Sequence, residues 1–313
     1  MLAYVARRIL STIPVMLVVA FVVFSMLILS PGDPAAVIAG DQATPEDVER
    51  IRAALGLDRP FFVQFAEFLW RLVNFDLGTS IFTNLPVTHM IAQRIEPTVA
   101  LMVLTIIFSV LIAVPMGVIA AWKAGSWIDR AVMIFAVFGF SVPVFVIGYL
   151  LAYIFALELD WLPVQGYTPL ARGFWPFLEN LILPTIALGS VYIALIARIT
   201  RATMLEVLAQ DYIRTAKAKG LGTRPILFVH ALKNAAVPIS TVVGIGIALL
   251  IGGAVVTESV FAIPGLGRLT VDAILRRDYP VIQGVVLLFS FVYVLVNLMI
   301  DLLYTVFDPR IRY

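Results

Sequence analysis

Residues 235–257 read AAVPISTVVGIGIALLIGGAVVT, a run of 23 residues without a charged side chain. The hydrocarbon core of a bilayer is about 30 Å thick, and about 20 helical residues cross it. Five further stretches are equally apolar, so we predict an all-α polytopic membrane protein with about six transmembrane helices. The predicted spans are 9–29, 98–121, 131–157, 180–197, 235–257 and 281–300.

The composition agrees with a membrane protein. Apolar residues make up 61% of the 313 positions, charged residues 13%, and the mean hydropathy is +1.01. A soluble domain of this size could not bury so much apolar surface. The chain has no cysteine, which excludes disulfides and thiolate metal sites. The first apolar run could be read as a secretory signal, but it exceeds the usual length of about 7–15 residues.

Basic residues predict the orientation, because cytoplasmic loops retain an excess of lysine and arginine. The predicted loop 198–234 carries seven of them, and together with both termini and the loop 123–130 it places 13 of the 22 basic residues on one face. We therefore expect both termini in the cytoplasm. We divide the chain into residues 1–97, a first span with an extracytoplasmic segment, and residues 98–313, a five-helix core. The seven basic residues of the predicted loop 198–234 are Arg198, Arg201, Arg214, Lys217, Lys219, Arg224 and Lys233.

No catalytic, cofactor-binding or metal site is predicted. The chain has no Gly-Lys-Ser or Gly-Lys-Thr phosphate loop and no His-Glu-x-x-His helix, so a membrane enzyme is the weakest interpretation. A secondary carrier or channel is the main alternative. Carriers usually bury ionisable groups at mid-depth. Here Glu258 and Asp301 lie at span ends, where we expect each carboxylate to reach water or pair with arginine.

Glycine, proline and serine are concentrated in the third to fifth spans. Small residues let helices approach closely, and proline frees a backbone carbonyl, so such helices can bend or line a cavity. This pattern predicts a translocation pathway, although ordinary tight packing explains any single residue equally well. The predicted pathway or gate residues are Ser141, Pro143, Gly244, Gly246, Gly252, Gly253 and Glu258.

The most specific motif is QDYIRTAKAKGLG at residues 210–222. It predicts a short helix in the basic loop. Ala216 and Ala218 are small enough to admit a partner surface, and Gly220 can end the helix in a left-handed conformation. From the residues alone, a solvated amphipathic loop is as plausible as a docking helix.

Residues 211–221, followed by His-Ala-Leu-Lys-Asn at 230–234, closely resemble the cytoplasmic coupling loop of the dipeptide and oligopeptide permeases of bacterial ABC importers. In the wider family this loop begins Glu-Ala-Ala, and here residues 214–216 read Arg-Thr-Ala, so the glutamate is missing. Residues 258–268 and 277–280 look like segments of the same permeases. The resemblance covers nearly the whole chain and points to the first of the two permeases usually present.

The resemblance implies the transmembrane fold of a type I ABC importer in the bacterial inner membrane, working by alternating access. It also implies a second homologous permease, two ATPase subunits that bind ATP and Mg²⁺, an extracytoplasmic solute-binding protein and a peptide substrate, with no cofactor in this chain and no nucleic acid. The implied ATPase-coupling residues are Asp211, Tyr212, Arg214, Thr215, Ala216, Ala218, Gly220 and Leu221.

The run 258–280 is expected to face the binding protein at the external mouth, with a structural re-entrant loop as the alternative. The binding-protein-facing residues are Pro264, Gly265, Arg268, Asp278 and Tyr279.

Overall fold

The computed structural model describes residues 2–29, 34–39, 43–54 and 56–307. The side chain of Asp301 lies outside the described part of the chain. The long helices are α1 (Leu2–Leu29), α6 (Ile95–Trp122), α7 (Trp127–Ser141), α9 (Phe174–Leu208), α12 (Leu232–Val260) and α14 (Tyr279–Phe307). The shorter helices are α2 (Pro34–Ala39), α3 (Pro45–Ala54), α4 (Phe61–Val73), α5 (Val87–Ala92), α8 (Val144–Leu151), α10 (Asp211–Ala218), α11 (Thr223–Pro225) and α13 (Leu266–Arg276).

Two of these helices continue or begin as π-helical turns. Residues Ala152–Glu158 extend α8, and residues Ile226–Ala231 lead into α12. A single 3₁₀ turn, Leu170–Arg172, precedes α9. Among the described residues there is one isolated β-bridge, between Thr79 and Pro86, and otherwise the regular structure is helical.

Five helices in the described residues are long and apolar enough to cross a membrane, or six if the bent pair α7 and α8 is one span. The helix is broken within the predicted third span, and its two parts meet at 101° between Ser141 and Val144. The break falls at Pro143, which has no N–H to donate and disfavours helical geometry at Val142, where φ is −88° and ψ is 125°.

The prediction of a loop over residues 198–234 is wrong at both ends, because residues 226–234 belong to the helical run that continues into α12. Helix α9 continues without interruption to Leu208, which places Arg198 and Arg201 on a helix. Arg201 donates two hydrogen bonds to the buried carboxylate of Asp129 in α7, one of them at 2.7 Å between Nη2 and Oδ2. The charged residues therefore end the apolar stretch, but the helix continues through them.

The chain folds into two compact units. The first comprises Met1–Arg94 and Leu269–Val294. Its core joins α1, α4 and α14 through Ala20, Phe24, Phe68 and Leu287. The ring of Phe24 lies 5.3–5.5 Å from three phenylalanine rings of α4, so one face of this aromatic helix is packed. The opposite face remains exposed, with Phe62 77% and Trp70 71% exposed.

The second unit comprises Ile95–Arg268 and Leu295–Tyr313. Helix α9 is its centre, because α6, α7, α8 and α12 all pack against it. Gly117 lets α6 pack closely against α9, because a Cβ at this position would lie 2.7 Å from the carbonyl oxygen of Ala197 in α9. Dispersion contacts at such short range are a main source of helix association in lipid.

Candidate functional site

The predicted coupling segment forms helix α10, Asp211–Ala218, with an extended N-cap at Gln210. Its inward face carries Ile213 and Ala216, which are 0% and 9% exposed. Both side chains belong to an apolar cluster with residues of α6, α9 and the π-helical turn, including Val118, Met204 and Leu227. The expectation that Ala216 admits a partner surface is therefore wrong, because this alanine packs against its own chain.

The outward face of α10 remains available for a partner. Asp211, Tyr212, Arg214, Thr215 and Ala218 are exposed, and Tyr212 is 42% exposed. The ion pair between Arg214 and Asp211, at 3.3 Å, lies in solvent and contributes little to stability. The helix thus presents a short polar surface on an apolar base.

The segment ends in a fixed turn. Gly220 has φ +80°, its N–H donates to the carbonyl of Lys217 at 2.9 Å, and the N–H of Leu221 donates to the carbonyl of Ala216 at 3.2 Å. This is the left-handed helix end that the sequence predicted for Gly220. Leu221 then packs on the same cluster as Ile213, which anchors both ends of α10.

A second polar centre lies where α12 ends. Glu258 is 0% exposed, and its Oε1 accepts a hydrogen bond from Thr98 Oγ1 of α6 at 2.5 Å. Its Oε2 accepts from the backbone N–H of Arg268 at 2.9 Å. Thr98 Oγ1 in turn accepts from the N–H of Leu266 at 2.8 Å. Glu258 and Thr98 therefore each accept from one N–H at the start of α13, where such groups have no partner within the helix.

The expectation that Glu258 reaches water is wrong, because the carboxylate is enclosed by the turn that follows it. Gly265 and Gly267 are buried against it, and a Cβ at Gly267 would lie 2.5 Å from Cα of Val255. Sequence reasoning placed Glu258 in the gate and Gly265 at the mouth, whereas the structure brings both into one turn. Thr98 was missed, since nothing in the local sequence connects it with a residue 160 positions later.

The loop before α9 belongs to the same network. Its Gly166 N–H donates to the carbonyl of Phe261 at 3.0 Å. The hydroxyl of Tyr167 donates to Glu96 at the start of α6 at 2.9 Å, and the N–H of Leu170 donates to the same carboxylate oxygen at 3.0 Å. Burial, followed by the hydrogen bond and negative charge of Glu96, raises the pKa of Tyr167. We call the turn 258–268, the loop 166–170 and the first residues of α6 the carboxylate network.

The remaining mouth residues divide into exposed and buried ones. Pro264 is exposed, and Arg268 and Tyr279 are half-buried. Asp278 is 4% exposed and accepts hydrogen bonds from Ser80 Oγ at 2.5 Å and from the N–H of Ile81 at 3.2 Å. The expectation that Asp278 faces a binding protein is wrong, because its carboxylate holds the loop before α5 within the first unit.

The four predicted pathway glycines lie in two kinds of surroundings, packed and open. Three of them are sites of close packing: Gly244 against Ile300, Gly246 against Tyr192, and Gly253 against Leu188. Gly252 faces open space, with no neighbouring atom within 4 Å of a Cβ built there. Ser141 and Pro143 lie at the break between α7 and α8, and both are exposed.

Comparison with known proteins identifies the family. Residues 113–313 match the family described as binding-protein-dependent transport system inner membrane component, and residues 1–102 match the N-terminal membrane component of the same systems. The chain belongs to this family. It is accordingly a multi-pass inner-membrane protein and a permease of the ABC importer class.

Relatives align over nearly the full length. The chain is 56% identical over 310 residues to a probable peptide ABC transporter permease of Sinorhizobium fredii, covering 99% of each chain. It is 43% identical to the dipeptide transport system permease protein DppB of Alkalihalophilus pseudofirmus and to the glutathione transport system permease protein GsiC of Salmonella choleraesuis, covering 100% of every chain.

Solved structures show the same fold. A chain of the MetNI methionine ABC transporter, captured in an inward-facing conformation, matches with a TM-score of 0.60 at 18% identity, covering 71% of this chain and 97% of that one. A second crystal form gives a TM-score of 0.57 at 16% identity, covering 70% and 96%. The prediction of an all-α, polytopic type I importer fold is confirmed.

Proposed function

We propose that this chain moves peptides across the inner membrane as one permease of an ATP-driven importer. The observation that carries the proposal is full-length similarity to transporters named for peptides, a dipeptide and glutathione, at 43–56% identity. Dipeptides, longer peptides, glutathione and nickel complexes are the substrates to compare. The chain itself holds no cofactor in this proposal, and partner ATPase subunits bind ATP and Mg²⁺.

The outward face of α10 is the proposed docking surface for an ATPase subunit. It is exposed, polar and short, and its base is fixed by Ile213, Ala216 and Leu221 in the apolar cluster. Because Ile213, Ala216 and Leu221 pack against other helices of the chain, a partner that moves α10 also moves those helices. Two ATPase subunits and a second homologous permease complete the proposed assembly, in which nucleotide binding and hydrolysis drive alternating access.

The basic residues near α10 support the proposed orientation. Lys217, Lys219, Arg224 and Lys233 all follow α9, and cytoplasmic loops are rich in such residues. We therefore place α10 and both termini in the cytoplasm. The carboxylate network then lies toward the opposite face, where exposed Pro264 and half-buried Arg268 are the proposed contacts for the solute-binding protein.

Reconstitution tests the importer function. The chain, a second permease, two ATPase subunits and a solute-binding protein are placed in vesicles, and uptake of labelled dialanine is measured with and without ATP. We expect uptake that requires ATP, both ATPase subunits and the binding protein. Uptake that persists without the ATPase subunits would show that the importer function is wrong.

Ala218→Arg tests the docking surface, because it adds bulk and charge on the exposed face of α10 and leaves the apolar cluster intact. We expect uptake to fall at least about 10-fold, which corresponds to about 1.4 kcal/mol. Ala171→Arg is the matched control, since Ala171 is an exposed alanine in the 3₁₀ turn before α9. Equal uptake by the two variants, at equal amounts of protein, would contradict docking through α10.

Secondary transport is the second candidate, and buried Glu258 is the observation that favours it. A carboxylate enclosed within the apolar segment Thr223–Val260 is the kind of group that proton-coupled carriers use. Its hydrogen bonds to Thr98 and to the backbone of Arg268 instead support a structural role. Uptake by the purified chain alone, driven by a proton gradient, would establish the carrier.

A further inference from the structure

A small cavity opens between α7 and α9 beside the broken span. Its volume is about 140 Å³, and Phe140 and Ser141 of α7 and Leu195 and Arg198 of α9 contribute to its wall. The helices touch just above it, since a Cβ at Gly139 would lie 3.0 Å from the carbonyl oxygen of Ser190. The same two helices meet again at the ion pair of Asp129 and Arg201, one turn beyond Arg198.

Arg198 is unusual within α9. Every residue from 177 to 197 of this helix is buried or half-buried, and Arg198 is the first exposed residue after them. Arg201, one turn further, is neutralised by Asp129. Within the described part of the chain, Arg198 has neither a hydrogen bond nor an ion pair. A guanidinium stays charged and carries five donors, so at the edge of an apolar span it requires water or an anion.

Ser141 gives the opposite wall a different polarity. Its hydroxyl donates to the carbonyl of Val137 at 2.8 Å, so its oxygen remains an acceptor toward the cavity side of α7. The cavity therefore combines cationic donors on α9 with a neutral acceptor on α7, flanked by Phe140 and Leu195. Broken membrane helices commonly line substrate sites, because their ends leave polar groups unpaired at depth.

We propose that this cavity binds the carboxyl end of the transported peptide. The guanidinium of Arg198 pairs with the terminal carboxylate in a two-pronged arrangement, and Ser141 Oγ accepts from a peptide N–H. The cavity is small beside typical ligand pockets of about 300–1,000 Å³, so it takes one end of the peptide and leaves the rest in the pathway. The inference rests on the proposed peptide import and assigns Arg198 to it.

Uptake by the reconstituted complex tests the assignment with two probes, dialanine and its C-terminal amide. Both are supplied on saturated binding protein, and each variant is compared with the wild type for the same probe. We expect Arg198→Gln to lower dialanine uptake about 10-fold, equivalent to about 1.4 kcal/mol, and to leave uptake of the amide at the wild-type rate. Arg198→Lys keeps the charge without the two-pronged geometry, so we expect an intermediate loss.

Two controls separate carboxylate binding from other roles of this arginine. Arg172→Gln removes an exposed guanidinium outside the spans, and we expect it to change neither probe. Vesicles with and without phosphatidylglycerol identify a lipid role, because a headgroup phosphate would make the Arg198→Gln defect depend on the lipid.

An equal loss for both probes, a loss that follows the anionic lipid, or no loss at all would overturn the proposal. Absence of ATP-driven uptake of either probe by the wild-type complex would instead contradict peptide import itself, and the inference would fail with it.

Discussion

Replacing Glu258 tests whether the carboxylate network holds the chain together. Glu258→Ala removes both acceptors, which leaves the hydroxyl of Thr98 and the N–H of Arg268 without the partners they have at 2.5 and 2.9 Å. An unsatisfied buried polar group costs about 1–3 kcal/mol, so the loss of two gives about 2–6 kcal/mol of destabilisation.

Glu258→Gln separates hydrogen bonding from the loss of volume. The amide oxygen can still accept from the N–H of Arg268, whereas the amide nitrogen cannot accept from the hydroxyl of Thr98, so one of the two hydrogen bonds is kept with nearly the same side-chain shape. We expect a loss of about 1–3 kcal/mol, smaller than that of Glu258→Ala, because one buried donor rather than two loses its partner. Glu206→Ala is the control at an exposed glutamate of α9 and should change stability by less than about 0.5 kcal/mol.

The assay is thermal unfolding of the purified full-length chain in detergent, followed by circular dichroism and tryptophan fluorescence. We expect the midpoints to fall in the order wild type, Glu258→Gln, Glu258→Ala, with Glu206→Ala beside the wild type. If Glu258→Ala unfolds at the wild-type midpoint, the network contributes nothing and our account of the turn is refuted.

Four further single substitutions test the packing and the buried carboxylates. Gly267→Ala places a methyl group 2.5 Å from the backbone of α12 and should destabilise the chain by about 1–3 kcal/mol, whereas Gly252→Ala, in open space, should stabilise α12 by up to about 1 kcal/mol in the same unfolding assay. Asp129→Asn should cost about 1–3 kcal/mol, less than a fully buried pair because Arg201 is 26% exposed, and adding Arg201→Gln should recover part of the loss. Asp278→Asn should speed limited proteolysis between residues 76 and 86, and an unchanged cleavage rate would contradict its anchoring role.

Local patterns of sequence predicted the spans well. Apolar length alone identified six stretches, since the bilayer requires about 20 such residues whatever they pack against. Residues 131–157 were predicted as one span, with Pro143 among the residues that let such a helix bend or line a cavity. The 101° angle depends on how α7 and α8 pack against α9, which no local pattern contains.

The helix α9 shows a different limit. Hydropathy indicates where side chains leave the lipid, so the fourth span was predicted to end at residue 197. Hydrogen bonding decides where a helix ends, and nothing between Arg198 and Leu208 interrupts it. Pairing of Arg201 with Asp129 stabilises this extension, and that pair joins residues 72 positions apart.

The coupling segment could be predicted from local sequence, whereas the carboxylate network could not. Helix α10 was predicted with its glycine end because its signals lie within 13 residues, and only the direction of Ala216 was mistaken. The network depends on Thr98 and Glu258, which no sequence window contains together.

A charged residue at the end of an apolar run has two physical outcomes, since it either reaches water or finds enough donors in its own fold. Gly265 and Gly267 decide between them here: without side chains, the turn closes over Glu258 and brings the N–H groups of α13 to the carboxylate. Glycines that follow such an acidic residue are therefore a sequence signal for enclosure.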